Sequence, residues 1–221
     1  MNRIYPLIFI LLSVTFLLPL SVIASAQKEV KSVLVTGAST GIGRNLAETL
    51  ARNGHHVYAG ARKDKDLAAL NAIDNITAVS LDVTKQEEVD AVVALIQKNN
   101  TGLYALVNNA GIGGGGLVAA TSIEDQTIVY KVNVEGVYRV TKAFAPMILE
   151  SKGRISTTGS IAGTITRAGL SAYSGSKHWI EAFTDSLAQE MEPQGVLVSV
   201  IEPGNYQSFI RRSSVSRAFA K

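Results

Sequence analysis

From residue 31 onward, short apolar runs alternate with stretches of helical periodicity, and this alternation constrains the fold more than any other feature of the chain. Runs at 32–36, 56–61, 78–81, 103–107, 153–157 and 196–201 read as strands. Residues 45–53, 87–97, 123–149 and 172–190 read as helices, the third in two pieces. Within 87–97, Val89, Val92, Val93 and Ile96 fall at helical spacing, and Gly54 supplies a stop after the first helix. Repeated strand–helix units build a parallel sheet with helices on both faces. The expected fold class is therefore α/β, a single doubly wound Rossmann-type parallel sheet spanning 31–221. Ligands of such sheets bind at the carboxyl ends of the strands, where the strand order reverses. No internal repeat occurs, and the glycine run at 113–116 reads as a loop within the domain.

Composition removes several classes of function. With 221 residues, 47% of them hydrophobic, the chain can bury one substantial core. A net charge of +3 and the lack of a Lys/Arg run argue against nucleic acid. There is no cysteine, which excludes disulfides and thiolate chemistry. The histidines are His55, His56 and His178, with no H-E-x-x-H arrangement, so no catalytic metal is expected.

The N-terminus differs from the rest. Arg3 precedes an uncharged apolar run over 4–24 that ends in Ala24-Ser25-Ala26. That pattern fits a secretory signal peptide over 1–26. The run is also long enough to be an uncleaved membrane anchor. Pro19 suits the break before a cleavage site better than the middle of a span. The sequons at Asn75 and Asn99 carry little weight.

The first strand flows into Thr36-Gly37-Ala38-Ser39-Thr40-Gly41-Ile42-Gly43. Glycines between a strand and a helix permit a tight turn, and the helix N-terminus offers N–H donors to a pyrophosphate. Gly37, Ser39, Thr40, Gly41, Ile42 and Gly43 are thus candidate cofactor contacts, although the spacing is not the common G-x-G-x-x-G. At the end of the second strand, an acid would select the ribose of NAD and an arginine the 2′-phosphate of NADP. The strand ends in Arg62-Lys63, with no acid before Asp64, so NADP is the expected cofactor and NAD the alternative.

Tyr173 and Lys177 lie four apart within a helical stretch, on one face. At ~5 Å and an effective dielectric of ~20, the ammonium favours the phenolate by about 3 kcal/mol, or roughly two pKa units. That lowering is expected to bring the phenol into a range useful for proton transfer. A serine hydrolase is disfavoured, because Thr158-Gly159-Ser160-Ile161-Ala162 lacks the first glycine of G-x-S-x-G and only His178 follows it.

Together these residues resemble the short-chain dehydrogenase/reductase family, in register from Lys31 to about Phe209. The turn at 36–43 is similar to the family's T-G-x-x-x-G-x-G, Asp82-Val83 to its adenine-contacting pair, and Asn108-Asn109-Ala110-Gly111 to its N-N-A-G. Asn133, Ser160, Tyr173 and Lys177 match its catalytic tetrad, and Pro203-Gly204 its P-G after the sixth strand. The resemblance implies cofactor contacts at Asp82, Val83, Asn109, Ala110, Gly111, Tyr173, Lys177, Pro203 and Gly204. It implies that Tyr173 exchanges a proton with a small alcohol or carbonyl, lipophilic ones included. Lys177 would tune that phenol, Ser160 hold the substrate oxygen, and Asn133 fix a relay water. Residues 58–63 and 201–205 are similar to the steroid- and retinol-converting branch. A homodimer or homotetramer, formed through the helices around 133–149 and 172–190, is also implied.

Two departures from the family pattern bear on function. Little sequence follows Pro203-Gly204, so the substrate lid and the last strand are expected to be missing, and residues 205–221 are basic. A nicotinamide cofactor also sits awkwardly with export. A retained anchor with a cytoplasm-facing domain removes that conflict, and Lys28 and Lys31 favour it weakly. The competing reading is a catalytically weak NAD(P)-binding sensor or interaction protein that kept the tetrad and lost the lid.

Overall fold

β1 (Ser32–Val35) sends Val33 and Val35 to one side and Leu34 to the other, and each side belongs to a different core. This alternation follows from the two-residue period of a strand, and it requires helices on both faces. The structure, a computed structural model, describes residues 30–204. Along them run α1 (Gly41–Arg52), β2 (His56–Ala61), α2 (Asp64–Asn71), β3 (Ile76–Ser80), α3 (Gln86–Asn99), β4 (Ala105–Asn108), α4 (Ile123–Tyr130), α5 (Gly136–Glu150), β5 (Arg154–Thr158), α6 (Ser171–Met191) and β6 (Leu197–Ile201). The six strands pair in parallel in the order β3-β2-β1-β4-β5-β6. The expected doubly wound sheet is therefore the fold observed.

One core joins Leu34, Tyr58, Leu106 and Ile155 of the sheet to Val92 and Ile96 of α3, Phe144 and Ile148 of α5, and Leu187 of α6. The other joins Val33, Val35, Val57 and Ala59 to Ala47 and Ala51 of α1 and Leu70 of α2. Tyr58 is fully buried, and its hydroxyl is paired with Thr101 Oγ1 at 2.8 Å and Asn99 Nδ2 at 3.1 Å.

The strand order reverses between β1 and β4, which both start near the middle of the sheet and lead outward in opposite directions. The crevice there opens at the carboxyl ends of the strands. The expected helix over 123–149 proves to be α4 and α5 joined through a wider π turn, Lys131–Glu135, centred on Asn133. The apolar residues of α6 divide. Ile180 and Leu187 are buried, while Trp179 stacks on Phe183 with ring centroids 4.7 Å apart.

No helix among the described residues is long and apolar enough to cross a membrane. The apolar run at 4–24 and the basic stretch at 205–221 lie outside the described residues.

Candidate active site

The glycine turn is built around Gly37. Its φ is +65°, and a Cβ there would come within 2.7 Å of Ala110 Cα, so only glycine fits without strain. Thr36 ties this turn to the end of β4. Its Oγ1 accepts from the amides of Asn109 at 3.0 Å and Ala110 at 2.9 Å. Asn109 answers from the other side, with Nδ2 donating to the carbonyls of Thr36 at 3.0 Å and Gly37 at 3.2 Å. The side chain of Asn109 is thus committed to holding the turn, a role the sequence did not disclose. Ser39, Thr40, Gly41, Ile42 and Gly43 complete the turn and open α1. Thr40 makes no side-chain cap bond, and the first turn of α1 holds no acid. The donors and positive end of α1 therefore suit a pyrophosphate.

Arg62 follows the carboxyl end of β2, and Nη1 lies 3.6 Å from Asp82 Oδ2. Asp82 also accepts from the amide of Thr84 at 3.0 Å and its hydroxyl at 2.8 Å. Burial works against ionisation of Asp82, but the Thr84 bonds and the charges of Arg62 and Lys85 outweigh it and hold the carboxyl below its usual range. Val83 is pinned by Arg139 of α5, whose Nη1 donates to the Val83 carbonyl at 2.8 Å. Arg139 was not foreseen, because nothing in sequence spacing links it to residue 83.

At the other end, Asn133 is 1% exposed. Its Oδ1 accepts from the amide of Ile112 at 2.9 Å, and its Nδ2 donates to the Ile112 carbonyl at 3.0 Å and to Ser176 Oγ at 3.0 Å. A Cβ placed on Gly111 would lie 3.4 Å from Asn133 Oδ1 and 4.0 Å from Lys177 Nζ. Asn133, Gly111 and Lys177 therefore meet beside the crevice. Ser160 opens a short 3-10 turn, Ile161–Gly163, and its Oγ accepts from the Ala162 amide at 3.1 Å. Pro203 reaches the same turn, where its carbonyl accepts from the amide of Ile161 at 3.3 Å, and Gly204 follows it.

Comparison with known proteins agrees with this geometry. The profile of the short chain dehydrogenase family matches residues 31–218. The chain belongs to that family. It is 42% identical over 186 residues to a mitochondrial D-beta-hydroxybutyrate dehydrogenase of Bos taurus, covering 80% of this chain and 54% of the relative. It is 38% identical over 184 residues to retinol dehydrogenase 16 of Rattus norvegicus, covering 80% and 57%. The expected similarity to the retinol-converting branch is thus present. This chain spans about half the length of these curated relatives. Among solved structures, a variant of actinorhodin polyketide ketoreductase with NADPH superposes with a TM-score of 0.80 at 32% identity, covering 87% of this chain and 76% of that one. A Brucella melitensis 3-ketoacyl-(acyl-carrier-protein) reductase complexed with NADH gives 0.79 at 27% identity, covering 84% and 80%.

In this member of the family, Lys177 and Tyr173 share one face of α6, with Nζ 5.8 Å from the phenol ring centroid. The ammonium, however, donates to the Thr158 carbonyl at 2.6 Å. Burial pulls the Lys177 pKa down to about 8, with Glu181 opposing. Burial pushes the Tyr173 phenol up, with the Ser160 hydroxyl opposing. The expected lowering of Tyr173 by Lys177 is therefore corrected: burial raises the phenol and outweighs the Ser160 hydrogen bond.

Proposed function

We propose that this chain binds a nicotinamide dinucleotide across the carboxyl ends of β1 and β4 and interconverts an alcohol and a carbonyl, with Tyr173 exchanging the proton. The observation that carries this reading is the convergence of Asn133, Gly111 and Lys177 beside the crevice. Three segments distant in sequence meet there, next to a glycine turn fitted to a pyrophosphate. The cofactor, when bound, supplies the hydride.

Tyr173, raised by burial, keeps its proton at neutral pH and can give it to a carbonyl oxygen during reduction. Ser160, at the mouth of its turn, holds that oxygen where negative charge develops. Lys177, with a pKa of about 8, exchanges protons close to neutrality and returns one to the phenol. Asn133 braces the 110–112 segment against α6 and keeps a second Oδ1 lone pair for a relay water.

Arg62 supports NADP over NAD, because it is largely exposed at the end of β2 and free to turn its fork to a 2′-phosphate. Leu117, Val118 and Ile165 are exposed on two loops joined by the Gly116 amide donating to the Gly169 carbonyl at 2.8 Å. This apolar rim supports a lipophilic substrate. Tyr138, half-exposed, lies beside Phe183 and Trp179 on α5 and α6, which supports pairing with a second copy there. The apolar run at 4–24 supports passage through, or attachment to, a membrane. Intact mass of the native N-terminus separates the two.

The test of function is turnover of a panel of alcohols and carbonyls with both cofactors. Oxidation or reduction in wild type supports the reading. Cofactor binding without turnover across the panel would instead favour a sensor or interaction protein.

A further inference from the structure

Glu181 stands one helical turn beyond Lys177 on α6 and has no part in the chemistry above. Its Oε1 is fully buried and accepts no hydrogen bond among the described residues. It sits between the two glycines that bracket the Ser160 turn. A Cβ on Gly159 would come within 2.7 Å of Oε1, and one on Gly163 within 2.8 Å. The same Cβ on Gly163 would lie 3.1 Å from the Lys177 carbonyl, and that on Gly159 would meet Val200 of β6. The turn that carries Ser160 is therefore seated directly on the carboxylate, with bare backbone at both points of contact.

Among the described residues, the charged groups around Glu181 are Lys177, His178 and Asp185 on its own helix and Glu202 beyond β6. The Ser160 turn contributes none. A buried carboxylate oxygen without a donor is costly unless an opposite charge compensates it. The buried cation on the same face is Lys177. We propose that Glu181 is a positioning residue: its carboxylate seats the Ser160 turn on α6 and supplies the counter-charge that keeps Lys177 protonated. This rests on the catalytic reading of Lys177 and Ser160, and extends it to a residue that touches no reactant.

The coupling between the two groups runs both ways. Burial, Glu202 and Asp185 raise the Glu181 pKa against the pull of Lys177 and His178. Glu181 is in turn the charge that resists the fall of the Lys177 pKa.

The test reads Lys177 directly, without cofactor or substrate, so it stands apart from any failure of the activity itself. Protein labelled at lysine Cε is titrated by NMR, with the Lys177 resonance assigned through Lys177→Met. In Glu181→Gln, which keeps the shape and removes the charge, the Lys177 midpoint is expected to fall by about half a pH unit or more. In Glu181→Asp, which keeps the charge, it is expected to stay near the wild-type value. An unchanged midpoint in a folded Glu181→Gln protein overturns the proposal. Should Glu181→Gln not fold, Glu181→Met removes the charge at similar length, and an unchanged Lys177 midpoint there overturns the proposal equally.

Discussion

The Lys177 ammonium donates a hydrogen bond to the carbonyl of Thr158 at 2.6 Å, while its Nζ lies 5.8 Å from the ring centroid of Tyr173, one turn away on the same helix. The bond anchors α6 to the end of β5, the strand that leads into Ser160. It commits one of the three ammonium N–H donors, while burial raises the phenol of Tyr173.

Replacing Tyr173 with Phe is expected to lower turnover by roughly 10²–10⁴-fold, the usual worth of a positioned proton donor. Cofactor affinity should be nearly unchanged, since the ring remains. Stopped-flow turnover alongside equilibrium cofactor binding checks this. Retained turnover would remove Tyr173 from the proton step.

The burial of Lys177 carries a pH signature. Its folded-state pKa of about 8 lies below the unfolded value of 10.5, so the unfolded chain binds more protons between those limits. Stability should therefore rise with pH across that window, by on the order of 3 kcal/mol in full. The cost of the buried charge is complete below about pH 8. Urea unfolding of wild type and Lys177→Met from about pH 7 to about pH 10, below the ionisation of most phenols, should show the two curves converging as pH rises. Parallel curves would mean that Lys177 is not desolvated.

Gly37→Ala places a Cβ against Ala110 in a backbone with φ of +65°. Strain of about 1–3 kcal/mol is expected, with the turn displaced and dinucleotide affinity reduced. Thermal unfolding and isothermal titration would register both effects. A variant as stable as wild type would show that the turn relaxes freely.

Arg62→Ala should weaken NADP binding selectively and leave NAD nearly untouched. The Arg62–Asp82 pair is exposed on the arginine side, so its loss should cost little stability, about 0–1 kcal/mol. Comparing the two dissociation constants in wild type and variant decides the point. Tighter NAD binding in wild type, unaltered by the substitution, would contradict the NADP preference.

The order of strands and helices was legible because periodicity reports burial directly. α2 escaped notice because its apolar residues are few and Asp64, Lys65 and Asp66 at its start read as a solvated loop. α1 begins at Gly41, four residues before the expected start, because glycines carry no helical pattern of their own. The residues of the crevice were legible from motif spacing, but their bonds were not. Spacing tells which groups come close; it does not tell that Asn109 turns to Thr36 and Gly37, or that Lys177 prefers Thr158. Those outcomes depend on competition among acceptors that only the packed chain presents. Glu181 gave no signal at all, since a lone acid on a helix usually faces water.

The π turn at Lys131–Glu135 works as an angular offset within one continuous rod. A single extra residue swings everything beyond it by about 100° around the axis, so Asn133 can look into the crevice while Val140 and Phe144 still look into the sheet. Removing one residue from that stretch would leave a smoother helix whose two halves could no longer face their separate targets together.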